Sequence, residues 1–150
     1  MLKLTKTYTD YDGNERTEDF YFNLSKAELT KLEMSETGGL INFLQKIISA
    51  QDGKTIIETF EKIILMSYGE KSPDGRRFIK NDEIRDAFSQ TEAYSDLFME
   101  LATDDVKAIE FINGIMPSEA QMNPEEMQKI IDSDKNPKEL LEKVADTNNA

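Results

Sequence analysis

The feature that most constrains the fold is an alternation of apolar and polar residues on both sides of an Asp-Gly turn near the N-terminus. The apolar members are Leu2, Leu4, Tyr8, Phe20, Phe22 and Leu24. A period of two is typical of β-strands with one buried face. Residues 2–24 therefore predict a β-hairpin, and its apolar face requires other elements to cover it.

The turn of this hairpin determines which residues face each other across the two strands. If residues 11–13 form a three-residue loop with Gly13 in the left-handed region, Asp10 pairs with Asn14. A two-residue loop would place apolar residues opposite polar ones, so we predict the three-residue register. This register gives four further pairs: Leu2 with Phe22, Leu4 with Phe20, Lys6 with Glu18, and Tyr8 with Arg16.

Short helices are predicted for most of the chain from residue 25 to residue 117. Ser25 and Glu28 form a capping box that starts a helix at Lys26, and this helix ends near Met34. Residues 40–48 are apolar over a wide arc and predict a core helix, which pairs with a further helix over 56–68 ended by Gly69. Three more short helices follow, and their predicted N-caps are Asn81, Ser89 and Thr103.

Two further features complete this part of the chain. The turn sequence Ser72-Pro-Asp-Gly75 predicts an exposed loop or small hairpin over residues 71–79. The densest basic cluster lies there and consists of Lys71, Arg76, Arg77 and Lys80. Gly114 and Pro117 are predicted to close the compact part.

The chain changes character after Pro117, where it becomes polar and has no aromatic residue. We therefore predict a globular domain over residues 1–117 and an acidic tail over 118–150. The tail repeats a helix-start signal, with Asn as cap and Pro at the first helical position, at Asn123 and again at Asn136. The fold class predicted overall is α+β, mainly α, with the N-terminal hairpin packed on a bundle of about six short helices and a partly helical tail.

The two tail helices are short and amphipathic, and helices of this length are not stable alone in water. They either fold back on the domain or bind a partner. If they bind, the predicted contacts to a partner protein or to a second copy of the chain are the apolar residues Met127, Ile130, Ile131, Leu140, Leu141 and Val144.

Composition excludes several chemistries. The chain has no Cys and no His, so it has no disulfide, thiolate nucleophile, imidazole base or zinc-finger site. Its formal charge of −12 opposes binding to nucleic acid. No apolar run approaches the length of a membrane span or a signal peptide, so we expect a cytosolic protein without a membrane partner. The acidic turn over residues 10–15 lacks the glycine position of a calcium-binding EF-hand loop. We predict no catalytic, metal-binding or cofactor-binding residue.

Several segments resemble the tail assembly chaperones of long-tailed bacteriophages and prophages. The segments are Thr7 to Leu24, Ser67 to Ile79, Ala87 to Tyr94 and Glu110 to Ile115. The resemblance covers residues 1–117. It implies a small, mostly helical, non-enzymatic protein of the host cytoplasm that is absent from the mature virion. It also implies two partners, because such proteins bind and solubilise the tape-measure protein and help tail-tube subunits assemble around it.

Two other classes of function are compatible with the composition. An acidic protein that mimics DNA would occupy a nucleic-acid-binding protein, and its binding would weaken strongly with salt. An enzyme with paired carboxylates would need a deep pocket that holds two acids with strongly raised pKa values. Tape-measure binding would instead be mainly apolar and tolerant of salt.

Overall fold

A computed structural model of the 150-residue chain describes residues 1–35, 53–126 and 128–129. Its strands are β1 (Leu2–Thr9), β2 (Glu15–Phe22), β3 (Tyr68–Lys71) and β4 (Phe78–Ile79). Its α-helices are α1 (Lys26–Ser35), α2 (Gly53–Ser67), α3 (Asp82–Ser89), α4 (Glu92–Thr103) and α5 (Asp105–Ile115), and a 3-10 turn spans Ser118–Ala120. The predicted α+β class and N-terminal hairpin are confirmed. The core helix predicted over 40–48, and its pairing with the next helix, lie outside the described residues.

The N-terminal hairpin has the predicted register throughout, from Leu2 opposite Phe22 to Tyr8 opposite Arg16. Gly13 has a φ of 83°, as the three-residue loop requires. The Asp10 carboxylate accepts the backbone N–H groups of Asp12 at 3.0 Å and Asn14 at 2.9 Å. The hydrogen bond from Arg16, followed by that from Asn14, lowers the pKa of Asp10. The Asp10 carboxylate therefore stabilises the turn itself.

The second hairpin, β3–β4, confirms the turn predicted at Ser72–Gly75. The Gly75 amide donates to the Ser72 carbonyl at 2.9 Å, and Gly75 has a φ of 73°. This hairpin also joins the first one, because β3 pairs with β2 and gives a four-stranded antiparallel sheet in the order β1-β2-β3-β4. The sequence pattern of residues 71–79 did not indicate that pairing.

The predicted helix over 56–68 was wrong at its C-terminal end, because Tyr68 and Gly69 belong to β3. Tyr68 pairs with Phe22 across the sheet and stacks on Phe88 with ring centroids 4.0 Å apart. Gly69 lies so close to β4 that a Cβ would stand 2.8 Å from the Ile79 carbonyl oxygen. Cross-strand pairing and ring stacking outweigh the helical spacing, so Gly69 allows close strand approach and does not end the helix.

Two predicted N-caps are confirmed. The Ser25 hydroxyl accepts the Glu28 amide at 3.2 Å, and the Glu28 carboxylate accepts the Ser25 amide at 3.0 Å. This is the reciprocal capping box expected before α1. Asn81 accepts the Ile84 amide at 2.8 Å and caps α3. Both motifs depend on residues within one helical turn, so the sequence alone was sufficient to find them.

The predicted N-caps Ser89 and Thr103 were wrong. Ser89 and Thr103 lie in the last turns of α3 and α4, where each hydroxyl donates to a backbone carbonyl one turn earlier, at 2.8 Å and 2.6 Å respectively. The actual caps are Thr91 for α4 and Asp104 for α5. A hydroxyl that bonds back along its own helix does not cap the next one.

The core lies between the sheet and the helices and centres on Phe22, which is fully buried. The ring of Phe22 lies 5.7 Å from that of Tyr68, 5.9 Å from Phe88 and 5.2 Å from Phe111. Gly114 lies within α5, which ends at Ile115. A Cβ at Gly114 would approach Leu2 to 3.0 Å, so this glycine lets α5 pack closely against β1.

Lys80 connects three parts of the fold from a side chain that is only 11% exposed. Its ammonium donates to the Asn23 carbonyl at 2.6 Å and to the Glu28 carboxylate at 2.7 Å. Burial by itself would raise the pKa of Glu28, but the hydrogen bonds from Lys80 and from the Ser25 amide outweigh burial and lower it. The ionised carboxylate of Glu28 therefore stabilises the folded state.

We expect Lys80→Met to lower the free energy of unfolding by about 1–3 kcal/mol at neutral pH, because two polar groups lose their partner. The folded-state pKa of Glu28 lies below its unfolded value, about 4.3. Its contribution is therefore present above that pH and is lost as the pH falls through the folded pKa. Urea denaturation at several pH values should show the difference from wild type shrinking in acid.

The control is Lys26→Met, because Lys26 pairs with Glu119 at the same distance of 2.7 Å but on the surface, with side chains 72% and 68% exposed. We expect this substitution to cost less than about 0.5 kcal/mol. Equal effects of the two substitutions would show that the Lys80 contact has no special role in stability.

Candidate partner-binding site

The start of the tail is held on the domain by hydrogen bonds. Asn113, in the last part of α5 and only 8% exposed, accepts the Met122 amide at 2.8 Å, and Met122 packs against the core. The Gln121 side chain donates to the Met116 carbonyl at 3.1 Å. The chain therefore remains attached to the domain for five residues beyond Pro117. The boundary at Pro117 stays a prediction.

The first of the two Asn-Pro helix starts in the tail is formed. Asn123 accepts the Glu126 amide at 2.8 Å, and residues 124–126 and 128–129 are helical. The second start, at Asn136, lies outside the described residues. So do all six predicted contact residues, which stay a prediction: Met127, Ile130, Ile131, Leu140, Leu141 and Val144.

A groove with a volume of about 220 Å³ opens between β1 and the helix pair α4–α5. Five of its lining side chains are apolar and four are charged. The lining side chains are Leu2, Leu4, Lys6, Leu97, Glu100, Leu101, Lys107, Glu110 and Phe111. None of them comes from β2, so the groove lies on the side of β1 that faces away from its hairpin partner.

Ion pairs along the groove connect β1 to α4 and α4 to α5. The Glu100 carboxylate in α4 accepts a short hydrogen bond from Lys6 in β1 and lies 3.0 Å from the ammonium of Lys107 in α5. Burial would raise the pKa of Glu100, but the hydrogen bonds from Lys6 and Lys107 outweigh it and lower the pKa. The hydrogen bond with Glu100 raises the pKa of Lys107. These contacts fix the distance between β1 and the helices.

The groove runs beside an open sheet edge. Strand order places β1 at the end of the sheet, and no other strand among the described residues pairs with its outer side. The Asp10 amide bonds the Asn14 carbonyl at 2.8 Å, so even-numbered residues of β1 bond to β2. The odd-numbered residues direct their N–H and C=O groups outwards. They are Lys3, Thr5, Thr7 and Thr9.

Sequence reasoning did not find this edge or this groove. Either strand of a hairpin can pair with a further strand, and the alternation of residues 2–24 is the same whichever one does. The choice of β2 depends on contacts between Tyr21–Phe22 and Tyr68–Gly69, which are far apart in the chain.

The basic residues that cluster in sequence at the second hairpin do not form one exposed patch. Arg76 and Arg77 are exposed at its turn, whereas Lys80 is part of the interior contact with Glu28. The ammonium of Lys71 lies 4.3 Å from the centre of the Tyr21 ring, a cation–π contact within the sheet.

Across the ranges that the structure describes, no cluster of acidic side chains is placed to hold a metal ion. Across the same ranges, no helix has the length and apolar character to cross a membrane.

Comparison with known proteins gives one family. A family model described as "Phage tail assembly chaperone" matches residues 1–149. The matched span includes nearly the whole tail, beyond residue 117, where the sequence resemblance ended. Comparison with curated proteins and with solved structures gives no match.

Proposed function

The chain belongs to the phage tail assembly chaperone family, and from this premise we propose that it binds the tape-measure protein and keeps it soluble. We further propose that it helps recruit tail-tube subunits, acts in the host cytoplasm and is left out of the mature virion. The observation that supports the proposal most directly is that the family match continues through the tail.

The tail has the features of a partner-binding segment. Its first helix starts at a capped residue, Asn123, directly after Met122 is anchored on the domain. The start of the tail is therefore positioned by the fold and does not depend on a partner. Apolar residues at helical spacing follow in the sequence, and such residues are used by amphipathic helices to bind complementary helices.

The charge of the chain suits a solubilising role. Long apolar helices aggregate at working concentrations as long as they are not part of an assembly. A bound protein with a net charge of −12 covers apolar surface and adds electrostatic repulsion between complexes. Because the proposed contacts are apolar, salt should weaken them little.

Co-expression with a long helical tape-measure protein from the same genome tests the proposal. We expect the tape-measure protein to stay in the soluble fraction and to co-purify with the full chain at both low and high salt. Without the chain it should precipitate. A tape-measure protein that is insoluble both with and without the chain would contradict the proposal. Co-purification that is lost at high salt would mean that binding is mainly electrostatic, as expected for the DNA-mimic alternative.

A further inference from the structure

The open edge of β1 and the groove beside it together have the geometry of a strand-addition site. Such sites combine main-chain groups along a sheet edge with a depression that receives alternate side chains of the added strand. Here Lys3, Thr5, Thr7 and Thr9 provide outward N–H and C=O groups. The groove lies beside this open edge, on the helix-facing surface of β1. An added strand would direct every second side chain towards that surface.

The groove has the size and lining for side chains of a peptide. Its volume of about 220 Å³ is below the range of pockets for small-molecule ligands, about 300–1,000 Å³. Leucine side chains from both β1 and α4 line it. Aliphatic side chains on one face of an extended segment would therefore be buried there.

The charge of β1 indicates what kind of strand fits beside it. Its charged residues are Lys3 and Lys6, and it has no acidic residue. Lys6 lines the groove and bonds Glu100, whereas Lys3 lies on the opposite face of the sheet, where Asp19 of β2 is 3.5 Å from its ammonium. A second copy of β1 at the outer edge would bring lysines together, which is unfavourable. A strand with carboxylates would repeat the favourable contact of Lys3 with Asp19.

We propose that the outer edge of β1 binds an extended segment of a partner protein as an added strand, with aliphatic side chains in the groove and alternate acidic side chains on the opposite face of the sheet, near Lys3. This site is separate from the tail residues proposed to bind the tape-measure protein. It does not depend on that proposal, and its test uses a synthetic peptide.

The probe is a fluorescent peptide as long as β1 that alternates Val with Glu, titrated with the full chain and followed by anisotropy. We expect Thr7→Pro to weaken its binding at least about tenfold, because proline removes an outward N–H and adds bulk at the edge. The matched control is Thr17→Pro. Thr17 is the cross-strand partner of Thr7, both are exposed, and their hydroxyls bond each other at 2.9 Å. We expect this control to bind like wild type.

Two methylated peptides separate strand addition from binding in the groove alone. One carries N-methyl groups on its Val residues and the other on its Glu residues. In an added strand, the backbone N–H groups of the Val residues and those of the Glu residues point to opposite edges, so only one of the two groups can bond to β1. We expect the peptide methylated at those N–H groups to fail to bind and the other peptide to bind like the parent. The proposal is overturned if both peptides bind, if neither binds, or if Thr7→Pro and Thr17→Pro weaken binding equally. It is also overturned if the parent peptide fails to bind and Thr7→Pro instead abolishes a dimer of the chain.

Discussion

Phe22→Ala is expected to lower the free energy of unfolding by about 3–5 kcal/mol, the cost typical of removing a buried phenylalanine ring. Phe22 is fully buried, and its ring contacts those of Tyr68, Phe88 and Phe111. Its loss would leave a cavity between the sheet, α3 and α5. Urea denaturation followed by circular dichroism measures the effect.

The control for this prediction is Tyr21→Ala, one residue earlier in β2. Side chains at successive positions of a strand point to opposite faces of the sheet. Tyr21 is on the outer face, partly exposed, and contacts the Lys71 ammonium. We expect this substitution to cost about 1 kcal/mol. A loss for Tyr21→Ala as large as for Phe22→Ala would mean that the core is not on the helix-facing side.

The second large effect concerns binding. The paired substitution Ile131→Asp with Leu141→Asp is expected to abolish solubilisation of the tape-measure protein, because it places a charge on the proposed apolar face of each tail helix. The thermal unfolding of the domain should be unchanged. The measurement is the soluble fraction of co-expressed tape-measure protein, together with a melting curve of each purified variant.

A control pair tests whether added charge alone is responsible. Ser133→Asp with Thr147→Asp introduces the same charge at polar positions of the tail. We expect this variant to solubilise the tape-measure protein like wild type. If the Ile131 and Leu141 variant also keeps full solubilising activity, the tail residues are not the contact surface.

Features that depend on residues close together in the chain were determined by the sequence. The hairpin register follows from the alternation of residues 2–24 and from Gly13, whose φ of 83° few other residues adopt easily. The capping box at Ser25 and the cap at Asn123 are likewise local, because each bond closes within one helical turn. Such features form from their own residues, and the rest of the fold has only to be compatible with them.

Features with competing local solutions were decided by the tertiary structure. Tyr68 fits the apolar spacing of α2 but is a strand residue, because it pairs with Phe22 across the sheet and its ring stacks on that of Phe88. Lys80 looks like part of a basic surface but is buried against Glu28, distant in sequence. The open edge of β1 exists because β2, not β1, pairs with β3. In each case, contacts between distant segments contribute more free energy than the local preference, and a local pattern does not show which distant segment will be present.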